Sequence, residues 1–413
     1  MSQTLCILGR QGAIALAELE SLYGHEAVTP ITSGAAIVDM DPQDFAFNRL
    51  GGTMKAGKVL HEFNTTNWYD IQKYLVRTIP DHMQYVPEGR LTLGLSVYGL
   101  DIQSRAIEAT ALELKKVIKK TGHPVRIVPN KATELSTAQV LHNKLFTSNG
   151  WELFFVRVGK KVIMAQTTHI QDIDAYTARD QARPKRDAKV GMLPPKLAQI
   201  IINMALGNTG WTETIEQELL DPFCGTGVIL QEALLMGYEV YGTDIEPRLV
   251  QYSKENLDWL NETTPLNKYA IKTQGKTLQE TGVFTRPPRL EVGDATSFTW
   301  LPTPITIACE TYLGRPFSFP PDTATLQQVM SDVNTIHKKF LQNVARQTKP
   351  GFRMAIAVPA WFINGQFKHL SSLDHLEELG YTRLSFKHAV NDKLIYHREG
   401  QIVGRELVTL IRK

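Results

Sequence analysis

With 413 residues, 43% hydrophobic and 21% charged, the chain is too long for one small core and too apolar to be disordered, leaving room for two or three domains. A formal net charge of +3 excludes a globally polybasic protein, so any nucleic-acid surface must come from local clusters. Cys6, Cys224 and Cys309 form no CxxC pair, no basic lead opens the N-terminus, and no stretch reaches the roughly 18 apolar residues of a membrane span. This pattern excludes a disulfide scaffold, a structural zinc site and a secretory signal, and it reads as a cytoplasmic protein.

In chain order, residues 4–9 predict a buried strand and 11–23 a helix with Ile14, Leu16, Leu19 and Leu22 as its apolar positions, stopped at Gly24. Residues 31–39 follow as a second strand, and the alternation to about residue 85 predicts a first small α/β module, 1–85. A second module, 86–175, opens with the strand Leu91–Tyr98. A helix over 103–121 follows, with Ile107, Ala111, Leu114 and Ile118 on one face and Lys115, Lys116, Lys119 and Lys120 as a basic stripe on another. Val125–Val128, Leu153–Val158 and Lys161–Gln166 read as strands, the last two joined at Gly159-Lys160.

Residues 176–191 are polar, contain Pro184 and carry Arg179, Arg183, Lys185, Arg186 and Lys189. They read as a basic connector, either solvated or set beside phosphates. From 192 to 413 strands alternate with helices: a helix Pro195–Leu206, a strand ending at Leu220, a helix Val228–Met236, and strands at 239–243, 289–292, 304–309 and 353–358. The pattern predicts a doubly wound parallel sheet, with an antiparallel addition from a final pair near 381–388 and 401–411.

The strongest local signal is Asp221-Pro222-Phe223-Cys224-Gly225-Thr226-Gly227, a glycine bend between a strand and a helix where backbone can approach a ligand closely. It lacks the GK[ST] of a phosphate loop and the third glycine of the dinucleotide fingerprint, which leaves the methionine and ribose of S-adenosylmethionine (SAM) as the fitting ligand. Asp244 ends the next strand, where a carboxylate can accept from both ribose hydroxyls, with Ile245 beside it. Asp294, in Gly293-Asp294-Ala295, is positioned to accept from the adenine amine. Singly, such a turn is often a plain connector and such an aspartate a helix cap; three in order at successive strand ends point to nucleoside binding. Cys224 reads as a small apolar filler rather than a nucleophile.

DPFCGTG, RPKRDAKVGMLPPKLAQIIINMA and HIQDIDAYTARD together resemble the THUMP-domain RNA methyltransferases, and within them the tRNA guanosine-N2 methyltransferases acting at position ten of tRNA in archaea and eukaryotes. The opening ILGRQGAIALAELESLYG is similar to that group too. The resemblance implies a ferredoxin-like module and a THUMP module that grip tRNA, followed by a Rossmann-like class I SAM methyltransferase domain. It implies Pro194 and Pro195 in the segment packed over SAM. It also implies Asp221, Phe223, Gly225, Gly227, Asp244 and Asp294, flanked by Ile245 and Ala295, as cofactor contacts. Eukaryotic relatives add a small activator subunit as a further partner; no metal is implied, because methyl transfer from SAM needs none.

Amino-group methyltransferases of this family carry Asp/Asn-Pro-Pro-aromatic after the fourth strand. The chemistry needs two acceptors on the amine, leaving its lone pair facing the methyl, and a ring stacked on the base. This chain has Glu310-Thr311-Tyr312-Leu313-Gly314-Arg315-Pro316 there, with a longer carboxylate and without the paired prolines. Glu310 and the Thr311 carbonyl are the expected acceptors and Tyr312 the stacking ring, with Phe317 or Phe319 as alternatives. Arg315 is expected on an RNA phosphate or paired with Glu310. Trp361 and Phe362 are candidates for the base pocket or for the core. The target base must be flipped out, and phosphate contacts are expected from Lys115, Lys116, Lys119, Lys120, Arg126, Arg183, Lys185, Arg186 and Lys189. Guanosine N2 is the first target; adenosine N6, a DNA substrate, or a silent tRNA-binding protein with a degenerate loop are the alternatives.

Overall fold

The computed structural model describes residues 2–187, 192–208, 218–262, 286–317 and 319–413. In the first half β1 (Thr4–Leu8), α1 (Gly12–Tyr23), β2 (Val28–Thr32), β3 (Ala35–Val38), β4 (Thr53–Phe63), α2 (Trp68–His82) and β5 (Leu91–Tyr98) are followed by α3 (Ser104–Lys120), β6 (Val125–Ile127), α4 (Thr137–His142), β7 (Phe146–Thr147), β8 (Gly150–Val158) and β9 (Lys161–Ile170). The second half runs α5 (Ile173–Gln181), α6 (Pro195–Leu206), β10 (Glu218–Asp221), α7 (Val228–Leu235), β11 (Glu239–Asp244), α8 (Pro247–Glu262), β12 (Arg289–Val292) and β13 (Thr306–Glu310). It closes with α9 (Thr323–Gln347), β14 (Arg353–Ile363), β15 (Gln366–Lys368), β16 (Tyr381–Arg383), β17 (Ile395–Tyr396) and β18 (Val403–Arg412).

The chain divides into two compact units. The first comprises 1–12, 26–47 and 53–173 and holds one sheet in the order β2-β3-β1-β4-β9-β8-β5-β6, with β7 on β8. That single sheet takes strands from both sides of residue 85. Helices α2 and α3 lay Ile71, Leu75, Ile79, Ile107, Ala111, Leu114 and Ile118 into one apolar cluster with Leu91, Leu93, Leu95 and Phe155. The i, i+4, i+7 spacing of the α3 set produces that face and leaves Lys119 and Lys120 exposed. A buried carboxylate, Glu152, accepts from Lys55 Nζ, Ser96 Oγ and Thr167 Oγ1, so its charge is fully compensated within the sheet.

The second unit comprises 13–25, 48–52 and 174–413. Its sheet order is β12-β11-β10-β13-β14-β18-β16; the first five strands are mutually parallel, and β18 runs antiparallel between β14 and β16. Its core gathers Leu220, Tyr241, Ile307, Cys309, Val333, Phe340, Ile356, Trp361 and Leu410. Strand β14 continues through Pro359 to Ile363. The proline is tolerated because pairing with β13 ends at Ala357. Trp361 is therefore a core residue, fully buried, which corrects its candidacy for the base pocket. Phe362 is half-exposed and packs on Phe367 and His397.

Helix α1 is a part of this second unit. Buried Glu18 accepts from the amides of Gly51 (2.9 Å) and Gly52 (2.8 Å) and from Asn203 Nδ2 (2.7 Å). Glu20 accepts from the amides of Lys387 and His388 (2.6 and 3.0 Å). No described helix is long and apolar enough to cross a membrane.

Candidate active site

The site forms at the carboxyl ends of β10, β11, β12 and β13, where a parallel sheet of this kind leaves its crevice. Beyond β10 the chain turns sharply. Gly225 and Gly227 take φ of +52° and +83°, the left-handed region that side chains resist. A side chain at Gly227 would also meet Ser253 Oγ of α8 at 3.0 Å, whereas one at Gly225 would project into open space, 3.9 Å from the nearest atom. Gly227 is thus needed for packing, and Gly225 keeps a cradle clear.

Asp221 is buried and accepts from the Phe223 amide at 3.1 Å. Burial raises its pKa well above the usual carboxylate range, and the neighbouring charges of Asp244 and Glu310 push the same way. Asp244 binds the glycine bend directly: Oδ2 accepts from Gly225 N at 2.9 Å and Oδ1 from Glu246 N at 3.0 Å. Burial lifts its pKa as well. Glu310 lies within electrostatic reach of Asp221, and Asp244 therefore closes on the bend that Asp221 opens. Ile245 and Val292, exposed at 63% and 51%, project apolar surface beside it, and Val292 is in register with Asp244. Val292 escaped the sequence reading because a strand-end valine looks like core. Asp294 is exposed at the end of the same strand and accepts from Thr296 N at 2.9 Å, so it caps its own turn while facing outward. Ala295 is buried in the core and its carbonyl accepts from Asn343; its side chain offers nothing to a ligand, a correction to the expectation. Phe223 stands edge-on to Phe340 at 5.1 Å, and Pro194 is the half-buried cap of α6.

Glu310 ends β13, and Arg405 Nε donates to its Oε1. Arg405 takes the partnership that was one of the two alternatives for Arg315. Arg315 is exposed and its guanidinium lies 5.7 Å over the Phe317 ring. Thr311 is buried: its amide and hydroxyl both donate to the Ala357 carbonyl at 3.0 Å, and His337 Nε2 lies 2.9 Å from the hydroxyl. Burial holds the His337 pKa down to about 4, so the imidazole that braces the loop is neutral. Tyr312 is 45% exposed and borders a cavity of about 140 Å³ with Gly314, Arg315, Gln328, Val329 and Asp332. Cys224 is buried, and burial raises its thiol pKa far above the ordinary value, so it stays protonated.

Of the expected phosphate contacts, Arg183 is corrected. It is 3% exposed, lies 3.9 Å from Asp180 and has lost solvent access. Lys185 pairs with Glu255 at 3.0 Å while its backbone bonds Asn256, which also donates to the Thr226 carbonyl. The connector is thereby stitched to the glycine bend. Arg186 is exposed; Arg126 donates to Asn143 at 3.0 Å; Lys116 pairs with Glu113; Lys189 lies outside the described residues.

Five parallel strands, a reversed inner strand, a glycine bend and acidic strand ends make up a Rossmann-like α/β domain. Residues 183–281 match the family UPF0020, described as RMKL-like, methyltransferase domain. The chain is 44% identical over 80 residues (19% of the chain, 22% of the relative) to the tRNA (guanine(10)-N2)-dimethyltransferase of Methanothermobacter thermautotrophicus. It is 28% identical over 192 residues (46% of the chain, 43% of the relative) to the protein of that name from Pyrococcus abyssi. These matches span under half of each relative's length. Among solved structures, TrmN from Thermus thermophilus aligns over 100% of both chains with a TM-score of 0.48 and 14% identity.

Proposed function

We propose that the chain methylates the N2 amine of a guanosine in tRNA, using SAM. The reading is carried by a glycine bend that Asp221 opens and Asp244 closes, with open space where a Cβ at Gly225 would lie and Glu310 at the neighbouring strand end. The ligand that fits is a nucleoside with a small charged tail. Asp244 has lone pairs left for ribose hydroxyls, Ile245 and Val292 offer an apolar slot for adenine, Asp294 faces outward at the slot's edge, and Gly225 lets backbone approach. When bound, SAM supplies an electrophilic methyl group on a sulfonium.

On the acceptor side, Glu310 and the Thr311 carbonyl draw on the two N–H bonds of the amine and turn its lone pair inward. Tyr312 stacks on the flipped base at the mouth of the neighbouring cavity, with Arg315 at its rim. Most of the acceleration in such a site comes from orientation and fixed electrostatics. The names of the two archaeal relatives favour guanosine N2 over adenosine N6. We assign the holding of tRNA to the first unit, with Lys115, Lys119, Lys120 and Arg126 towards phosphates, and the setting to the cytoplasm.

Incubation with labelled SAM and total tRNA, followed by nucleoside mass spectrometry, tests this. N2-methylated guanosine is the expected product. Label in DNA alone would overturn the substrate, and tRNA binding without label would overturn the chemistry.

A further inference from the structure

The loop after β13 departs from the amine-methyltransferase pattern, with a longer carboxylate and without the paired prolines. The fold supplies a compensation. Strand β18 is antiparallel, so its first residues lie beside the carboxyl ends of β13 and β14; Arg405 pairs with Pro359 there. The Arg405 side chain is 9% exposed and that of Glu310 15%, and the Arg405 Nε–H is aimed at Glu310 Oε1. Its neighbour Glu406 faces elsewhere, held by Arg383 at 2.9 Å and by His369. Arg405 is thus a cation set against Glu310, whose charge also reaches the buried Asp221.

We propose that Arg405 is a positioning residue for Glu310: it ties down one carboxylate oxygen and leaves the other to accept from the substrate amine. This rests on the methyl-transfer reading above. The tether performs two tasks. The glutamate side chain has one more rotatable bond than an aspartate or asparagine, and the fixed guanidinium removes that freedom before the base arrives. It also sets a positive charge against Glu310, whose negative charge acts on the buried Asp221. The proline rigidity missing from residues 311–312 is replaced by a charge-assisted contact reaching across from β18, together with the His337 brace on Thr311.

The test is a kinetic double-mutant cycle on the full chain, with Arg405→Met, Glu310→Ala and both together. R405M is expected to lower kcat by about tenfold or more while the KM for SAM stays within about twofold, because one contact to the developing transition state loses its orientation. Arg405→Lys, which keeps the charge without the fork, should recover part of kcat. In the E310A background, R405M should cost little more, since no acceptor remains at that position to be held. Additive losses, or a KM for SAM that rises in parallel with the fall in kcat, would overturn the pairing. SAM affinity by calorimetry separates misfolding from mispositioning: R405M must still bind SAM. A wild-type chain that binds tRNA and SAM yet transfers no methyl would sink the underlying reading, whereas an active wild type indifferent to R405M sinks this inference alone.

Discussion

Asp244 carries two structural bonds as well as its proposed ligand role, and that decides how it should be probed. Asp244→Ala strands the amides of Gly225 and Glu246 and removes the ribose acceptor together. SAM affinity should fall by about tenfold or more, roughly 1.4 kcal/mol per decade, with tRNA binding nearly intact. Equal losses of both by titration would contradict the separation of the two roles. His337 is a second single-residue test, through stability. Its pKa of about 4 in the folded chain lies below the ~6.5 of an exposed histidine. The unfolded chain therefore takes up a proton that the folded chain refuses. The stability this group contributes is present above pH ~6.5 and is lost as pH falls towards 4, up to about 3 kcal/mol in all. Urea midpoints of the wild type and His337→Gln should diverge at pH 7 and converge by about pH 4; parallel curves would refute the buried neutral imidazole.

At the scale of elements, α1 shows where sequence patterning stops. Its apolar positions Ile14, Leu16, Leu19 and Leu22 are legible and buried, but Glu18 and Glu20 look like a solvated face and are buried too. Their partners are mostly backbone amides hundreds of residues away or in the 48–52 turn, and an amide leaves no trace in side-chain pattern. Glu18→Ala should therefore cost several kcal/mol, on the order of 1–3 for each stranded donor, while most exposed helix positions tolerate the change. A denaturation midpoint within about 0.5 kcal/mol of wild type would mean that α1 is only loosely held. The same limit explains the other misses. Strand β14 runs past its expected end at 358 because the end of pairing with β13 is a matter of register, and Arg183, expected to face phosphates, is buried because burial of a connector is not periodic. The glycine bend, Asp244 and the helices α3 and α6 were legible because local spacing alone fixes them. Arg405 and His337 were not, since only the folding of β18 and α9 brings them to the loop after β13.

For the whole molecule, the proposed division of labour has a physical signature that activity alone cannot give. Lys119 and Lys120 sit in the last exposed turn of α3, where the helix dipole favours cations, and Lys115 is one turn earlier. Lys116 is pinned to Glu113 and is left out of the test. If these three face phosphates, each releases about one counterion on binding. Replacing all three with glutamine should then flatten the plot of log affinity against log salt by about 2–3 units of slope. SAM affinity should not move, because those residues belong to the first compact unit and the glycine bend to the second. A merely solvated face would leave the slope unchanged, and the phosphate contacts would then have to be sought elsewhere, at Arg126, Lys185 and Arg186. A fall in SAM affinity along with the slope would mean that the α3 stripe acts on the catalytic unit rather than on RNA. Measuring both constants on one variant across a salt series distinguishes these outcomes.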